Sequence, residues 1–158
     1  MPEGIEVLEC SAQEECERFW RGLREYFERD IFPGEENCYH CSEEYKKNIE
    51  TLHARRFNPA KYLFFRRGGQ EIGLALTVIY DTEDGKQFIL EFCVYPEFRG
   101  NGTGAACAEA LLSWGRENGA KFAELNCSDE RRERFWSRFG FMRNGVDAPG
   151  EPLMLLPP

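Results

Sequence analysis

Hydrophobic residues return at two spacings along the chain, and the spacing separates helices from strands. Apolar residues three or four positions apart, set among Glu and Arg, predict an amphipathic helix over residues 11–30 with Ser11 as its cap. A second helix begins at Ser42 and ends at Asn58, before Pro59. An Ala-rich stretch and an aromatic stretch predict two more helices, at residues 102–118 and 129–139.

Runs of β-branched, aromatic and aliphatic residues between turn signals predict the strands. Tight turns at Gly68-Gly69 and Asp84-Gly85 connect three of these runs into a meander. The predicted strands are residues 62–66, 71–80, 87–95, 122–127, 141–144 and 152–156. With one strand placed before the first helix, this order predicts an α+β fold: a mostly antiparallel sheet of about six to seven strands flanked by about four helices.

The composition is that of one modest acidic, folded domain. The chain has 158 residues, 20 Lys+Arg against 28 Asp+Glu and a net charge of -8. No repeat or linker-like stretch divides it, so we expect a single domain over residues 1–158. The acid excess and the lack of a long Lys/Arg run exclude the electrostatics of duplex nucleic-acid binding. Because no secretory signal pattern and no apolar run long enough for a membrane span is present, we expect no membrane partner and a cytoplasmic protein.

Seven cysteines, an odd number scattered through core-like segments, favour reduced thiols over a disulfide framework. Within Cys38-Tyr39-His40-Cys41, two thiols and an imidazole could supply three zinc ligands. A second ligand pair at zinc-finger spacing is missing, and the only other histidine, His53, lies on the following helix. We therefore expect no metal site.

A glycine-rich junction between the strand ending at Val94 and the Ala-rich helix is the most informative segment. Glycines let the backbone approach an anion and direct N–H groups at it, and the helix start adds partial positive charge. Arg99 at the mouth of the junction carries a charge suited to phosphate. The predicted anion-binding residues are Arg99, Gly100, Asn101, Gly102, Thr103 and Gly104. The alternative is a tight turn that binds nothing.

Two other glycine-rich phosphate sites do not fit this segment. The third glycine of a dinucleotide-binding fingerprint would fall on Cys107, and repeated parallel strand–helix units are absent from the predicted order. A P-loop needs Gly-Lys followed by Ser or Thr, which does not occur here.

The junction resembles the signature of the GNAT superfamily of acetyl-CoA-dependent N-acetyltransferases. That signature is Arg or Gln, two residues, Gly, one residue, then Gly or Ala, and Arg99, Gly102 and Gly104 meet it. The resemblance extends over residues 62–156 and includes the aromatic segment 135–141. The two N-terminal helices match the family only as helices at that place in the order, without a sequence motif. It implies the GNAT fold and direct transfer of an acetyl group from acetyl-CoA to a primary amine.

The resemblance also implies where acetyl-CoA lies. Its pyrophosphate would rest on the amides of residues 99–104 and its pantetheine arm beside the strand ending at Val94. A bulge in that strand would leave backbone amides in the region of Cys93 and Val94, next to Phe92, free to hold the thioester carbonyl. Asn126 would bind the pantetheine amides, or it merely caps its strand.

Glu91 is an acidic residue inside an apolar strand. Strand alternation divides the side chains there between two faces: Ile89, Glu91 and Cys93 on one, Leu90, Phe92 and Val94 on the other. Burial would raise the pKa of Glu91 toward that of a useful general base, and attack by an amine needs such a base. The position also matches an acidic residue of many small-amine acetyltransferases. The alternative is that Glu91 only pairs with a basic neighbour.

The chain departs from the family at Trp136, where many members carry a Tyr that protonates the leaving thiolate. Indole has no accessible proton to give, so Trp136 is a candidate wall for the thioester. Ser128 or Cys127, with water, is a candidate substitute for the missing acid; the alternative is that each is a strand-end residue with no catalytic role. The same departure leaves open a catalytically silent domain that binds acyl-CoA as a sensor.

The acceptor is expected to be a small cationic amine. Residues 1–58 hold 14 acidic and 8 basic residues, net -6, where the resemblance places the acceptor site. Candidate attracting groups are Glu35, Glu36, Glu43 and Glu44, or these acids serve only solubility. A lysine side chain or a protein N-terminus stays open as an acceptor, and the resemblance also suggests a homodimer.

Overall fold

The computed structural model describes residues 4–35 and 38–158. Its strands are β1 (Glu6–Glu9), β2 (Ala60–Arg67), β3 (Gln70–Ile79), β4 (Lys86–Val94), β5 (Phe122–Asn126), β6 (Met142–Val146) and β7 (Pro152–Leu156). Its α-helices are α1 (Gln13–Tyr26), α2 (Glu43–Ala54), α3 (Thr103–Glu117) and α4 (Glu130–Ser137). A π-helical turn, Phe27–Ile31, follows α1, and 3₁₀ turns lie at Tyr39–Cys41 and Pro96–Phe98.

The strands form one seven-stranded sheet in the order β1-β2-β3-β4-β5-β7-β6. Every neighbouring pair is antiparallel except β4 and β5, which run parallel. The predicted α+β fold is confirmed. That residues 1–158 form a single domain remains a prediction.

Helices cover both faces of the sheet because each helix buries one apolar stripe. On one face α1 and α2 contribute Phe19, Leu23, Tyr45 and Ile49 to a core over β2–β4. On the other face α3 and α4 bury Cys107, Leu111, Leu112 and Trp136. No helix in residues 4–35 or 38–158 is long and apolar enough to cross a bilayer.

Both predicted ends of the first helix are wrong. Its cap is Ala12 rather than Ser11, and the Glu15 carboxylate accepts from the amides of Ser11 and Ala12, at 3.2 and 3.0 Å, in place of a hydroxyl cap. At the other end the α-helix stops at Tyr26 and widens into the π-helical turn. Ser42 does cap α2, since its Oγ accepts from the amide of Tyr45 at 3.2 Å.

A β-bulge in β4 changes which face its side chains occupy. Leu76 of β3 pairs with Glu91 while Thr77 pairs with Ile89, so Leu90 is an extra residue. Ile89 therefore packs on the α3 side and Leu90 on the α1–α2 side. The predicted grouping of Ile89 with Glu91 and of Leu90 with Phe92 is wrong for this reason, whereas Glu91 and Cys93 do share the α1–α2 face.

Strands β4 and β5 separate beyond the bulge. Their parallel pairing covers only Lys86 to Ile89 of β4, and β5 continues to Asn126. Residues 90–94 of β4 thus have no described strand partner on the side away from β3. We call this unpaired edge of β4, together with the adjacent end of β5, the β4–β5 opening.

Backbone alternation decides which amides face the opening. The Tyr95 amide donates to the carbonyl of Ile72 at 2.9 Å, toward β3. The Cys93 carbonyl also faces β3, since a Cβ placed on Gly73 would lie 2.3 Å from its oxygen. Because N–H direction alternates along a strand, the amides of Phe92 and Val94 face the opening and that of Cys93 does not.

Candidate active site

The glycine-rich turn has an unusual backbone. Gly100, Asn101 and Gly102 are three successive residues with positive φ, at 96°, 53° and 77°. A Cβ on Gly100 or Gly102 would meet nothing within 4 Å, so conformation rather than crowding favours glycine there. Asn tolerates the left-handed region better than most residues, which suits Asn101 between them.

This turn presents unpaired amides. The Thr103 amide donates to Gly100 at 3.1 Å, and the first helical bond runs from Ala106 to Gly102 at 3.0 Å. The amides of Gly102, Gly104 and Ala105 have no acceptor among the described residues. Together with the α3 dipole they can bind an anion. Ala105 was not among the predicted residues, although any first helical turn leaves such amides free.

Arg99 ties the glycine-rich turn to the π-helical turn that follows α1. Its Nε donates to the Val94 carbonyl at 2.8 Å and its guanidinium pairs with Asp30 at 2.5 Å. Asp30 lies in the π-helical turn and also pairs with Arg29 at 3.3 Å. Burial alone would raise the pKa of Asp30, but hydrogen bonds from Arg99 and Arg29 hold it below its ordinary value. Arg99 therefore carries its charge beside the end of β4.

A second cation reaches the turn from β2. The Arg67 guanidinium lies 3.5 Å from the hydroxyl of Thr103, whose side chain is buried at the start of α3. No local sequence signal marks this arginine. Only the packing of α3 across the sheet brings it to the turn.

Glu91 lies on the other side of the opening. Its side chain is half-buried, facing Tyr26 and Tyr45, and makes no hydrogen bond or ion pair among the described residues. Burial raises its pKa to about 8, and the positive charge of Arg132 opposes the rise. The phenols of Tyr26 and Tyr45, both buried, have raised pKa values, first through burial and then through Glu91. The alternative that Glu91 pairs with a basic group thus has no direct contact to support it.

Trp136 closes the opening from the α4 side. It is 6% exposed and packs against Phe92 of β4 at 5.1 Å between ring centroids. Phe135 and Phe141 contact it at 5.0 and 5.4 Å. The position of the indole is therefore set by an aromatic cluster under the unpaired edge of β4.

Two further predicted residues lie at the end of β5. Asn126 donates to the Asp147 carboxylate at 3.0 Å and to the Pro152 carbonyl at 3.2 Å, which ties β5 to the β6–β7 pair. Its side-chain oxygen makes no hydrogen bond among the described residues. Ser128 is exposed in the loop before α4.

The other candidate groups lie away from these contacts. The side chains of Glu35, Glu43 and Glu44 are exposed and make no described ion pair, and Glu36 lies outside the described residues. The His40 ring stacks on Phe32 at 4.9 Å. No cluster of three or more His, Cys, Asp or Glu side chains suited to a metal occurs in the described part of the chain.

A mostly antiparallel sheet that opens between a parallel strand pair, beside a turn with free amides, defines an acyl-CoA N-acyltransferase architecture. The model of the acetyltransferase (GNAT) family matches residues 17–141, and the chain belongs to this family. Its donor is acetyl-CoA, and its chemistry is acetyl-CoA-dependent N-acetyl transfer.

Solved structures share the fold over the full chain. The PaiA N-acetyltransferase of Thermoplasma acidophilum in complex with coenzyme A is 16% identical, with a TM-score of 0.69 over 98% of this chain and 99% of that one. Ard1 of Thermoplasma volcanium is 16% identical, with a TM-score of 0.63 over 97% and 95%. A Corynebacterium glutamicum structure described as histone acetyltransferase HPA2 and related acetyltransferase is 20% identical, with a TM-score of 0.67 over 100% and 97%. Comparison with the curated proteins gave no significant match.

Proposed function

We propose that this protein acetylates the primary amine of a small cationic metabolite in the cytoplasm, with Glu91 as the general base. The observation that supports this best is the β4–β5 opening. It has unpaired amides of the glycine-rich turn at one end and the carboxyl group of Glu91 on the acceptor face.

The donor would lie along the unpaired edge of β4. The amides of Gly102, Gly104 and Ala105 bind its pyrophosphate, and Arg67 adds positive charge. Arg99 contributes to the same site from the start of the turn, with its charge partly offset by Asp30. The pantetheine arm pairs with β4 as an added strand would, and the side-chain oxygen of Asn126 accepts one of its amide protons. The Phe92 and Val94 amides face the same edge, and Val94 holds the thioester carbonyl. One such donor, aimed at the oxygen that becomes negative, contributes about 2.7 to 4 kcal/mol.

Glu91 accepts the proton that the attacking amine must lose. A lysine-like ammonium has a pKa of about 10.4, so the amine is mostly protonated at neutral pH. Transfer to a carboxylate whose pKa is raised to about 8 is far less uphill than transfer to an ordinary Glu. The neutral nitrogen attacks the thioester carbon, the Val94 amide stabilises the oxyanion, and the C–S bond then breaks. The thiolate leaves without strong acid assistance, because its conjugate thiol has a pKa of only about 8.5. Ser128 relays a water proton to it, and Trp136 walls the thioester.

The choice of a cationic acceptor rests on charge. The excess of acids in the first 58 residues creates a negative field on the side of α1 and α2, and the exposed Glu35, Glu43 and Glu44 contribute to it. Seven free thiols are consistent with a reducing compartment.

The test measures CoA release from acetyl-CoA by chromatography or mass spectrometry, across polyamines, aminoglycosides, amino acids and lysine peptides. We expect turnover with one class of small cation, and Glu91→Gln should lower kcat/KM by about 10² to 10⁴. Glu97→Gln is the matched control, because Glu97 is exposed on the 3₁₀ turn after β4. Turnover with lysine peptides alone would instead identify a protein acetyltransferase.

A catalytically silent acyl-CoA-binding domain is the second candidate, and Trp136 favours it. The indole replaces the proton donor of many family members and is held in an aromatic cluster. Tight acetyl-CoA binding in calorimetry, with no acetylated product from any acceptor of the panel, would favour this function over the first.

The homodimer also stays a proposal. The edge strand β6 supports it by exposing Met142 and Val146, at 57% and 62%. Light scattering would test it.

A further inference from the structure

Two cysteines that the acetyltransferase chemistry does not use lie on one short turn. Cys38 immediately precedes the 3₁₀ turn Tyr39–Cys41, and the Cys41 amide donates to the Cys38 carbonyl at 3.1 Å. Cys38 caps the turn with an extended backbone, and its thiol lies close enough to the Cys41 thiol to interact with it. With a rise of about 2 Å per residue, their Cα atoms are about 6 Å apart, within the span of a disulfide.

Exposure separates this pair from four of the other five thiols. Cys38 and Cys41 are partly exposed, whereas Cys10, Cys93, Cys107 and Cys127 are buried. Cys16 is also partly exposed, but it lies on α1, away from the turn. Burial and the adjacent Cys38 thiol together raise the pKa of Cys41 to about 11. The raised pKa makes Cys41 a weak first nucleophile, so the first attack is assigned to Cys38.

We propose that Cys38 and Cys41 form a reversible dithiol–disulfide pair whose oxidant is a small disulfide of the oxidised-glutathione class. The Cys38 thiol loses its proton to water, and its sulfur attacks one sulfur of the oxidant, expelling a thiolate. Cys41, also deprotonated, attacks Cys38 in the mixed disulfide and expels the second thiolate. Two protein thiols are oxidised, one external disulfide is reduced to two thiols, and the two protons end on the leaving groups.

The turn is packed against the acceptor side, so its oxidation state reaches the site. The ring of His40, between the two cysteines, packs against the rings of Phe27 and Tyr45, with 5.5 and 4.8 Å between ring centroids. Tyr45 is in turn close enough to Glu91 for the charge of that carboxyl group to raise the pKa of its phenol. Closing a four-residue ring constrains the 3₁₀ turn and moves His40 with it. This link to the acceptor site rests on the proposed function. It predicts that oxidation raises the KM for the acceptor and leaves the affinity for acetyl-CoA unchanged.

The first test is chemical and independent of activity. The full chain is equilibrated with oxidised and reduced glutathione at several ratios, quenched with an alkylating reagent and digested. We expect the peptide that contains Cys38 and Cys41 to be lighter by two hydrogens and to carry no alkyl group. The buried thiols stay reduced, so they should be alkylated once the chain is unfolded. Excess dithiol should restore the two thiols of that peptide. Cys41→Ser should stop at glutathione on Cys38, and Cys38→Ser should react more slowly at Cys41.

The proposed disulfide would be refuted by a Cys38–glutathione adduct that persists in the unmutated chain. It would also be refuted if both thiols could still be alkylated at oxidant levels that modify Cys16. The second test compares acceptor kinetics of the oxidised and reduced chain, with the Cys38→Ser/Cys41→Ser double variant as control. We expect a severalfold rise in acceptor KM on oxidation, absent in the control, and unchanged acetyl-CoA affinity. Disulfide formation without that rise would refute the link to the acceptor site and leave the pair intact. Lack of turnover would count against the proposed function alone.

Discussion

The raised pKa of Glu91 makes the stability of the protein depend on pH in a way that one substitution removes. Between its ordinary pKa of 4.5 and its folded value of about 8, the unfolded chain releases the Glu91 proton and the folded chain keeps it. The folded state then binds more protons, so this group lowers the free energy of unfolding as pH rises. Gln at this position cannot ionise, and Glu91→Gln should gain stability relative to the natural chain over that interval.

The size of the effect follows from the shift. Each pH unit inside the interval contributes at most about 1.4 kcal/mol, which gives a ceiling on the order of 4 to 5 kcal/mol across it. The Glu91 side chain keeps some solvent contact, and water reduces the cost of its charge. We therefore expect the stability difference between Glu91→Gln and the natural chain to widen by about 2 to 3 kcal/mol from pH 5 to pH 9.

Urea unfolding at each pH, followed by tryptophan fluorescence, measures this difference directly. Subtracting the two chains cancels the titration of all other groups. Glu97→Gln, on the exposed 3₁₀ turn, should run parallel to the natural chain. A Glu91→Gln curve that also stays parallel would mean that Glu91 ionises normally in the folded protein, and the general-base argument would lose its physical basis.

Three further predictions concern activity and donor binding. In the proposed reaction kcat/KM should rise with pH to a plateau above about 8, following the pKa of Glu91, and a flat profile would contradict a base at that position. Gly102→Ala should lower stability by about 1 kcal/mol, because φ is +77° there, and weaken acetyl-CoA binding in calorimetry, whereas Gly4→Ala, with neither positive φ nor neighbours, should change neither. Gly73→Ala places a Cβ 2.3 Å from the Cys93 carbonyl, so it should lower Tm by several degrees and raise the KM for acetyl-CoA; an unchanged Tm would mean that β4 can shift freely.

The features that the sequence predicts well are those fixed by residues close together in the chain. The glycine spacing after Val94 predicts a turn into a helix, and the structure has three positive φ values there followed by α3. The acidic Glu91 in an apolar strand predicts a perturbed carboxyl, and burial does raise its pKa. In both cases the cause lies within a few residues of the effect.

The features that the sequence does not reveal depend on contacts between distant segments. Arg99 meets Asp30 across 69 positions and Arg67 meets Thr103 across 36. The family resemblance implies a bulge in the strand of residues 87–95, but the apolar runs on either side of Glu91 do not show that the extra residue is Leu90. The bulge arises from pairing with β3 and reverses the faces assigned to Ile89 and Leu90.

The opening between β4 and β5 has a consequence for aggregation. An unpaired strand edge in the middle of a sheet is a template on which another chain can add, and proteins usually avoid such edges. Here the bulge twists the unpaired stretch of β4, which makes it a poorer template for another strand. A strand added there could form hydrogen bonds with β4 but not with β5. In the proposed binding mode acetyl-CoA covers this edge, and the protein without donor should then self-associate more readily than the protein saturated with acetyl-CoA.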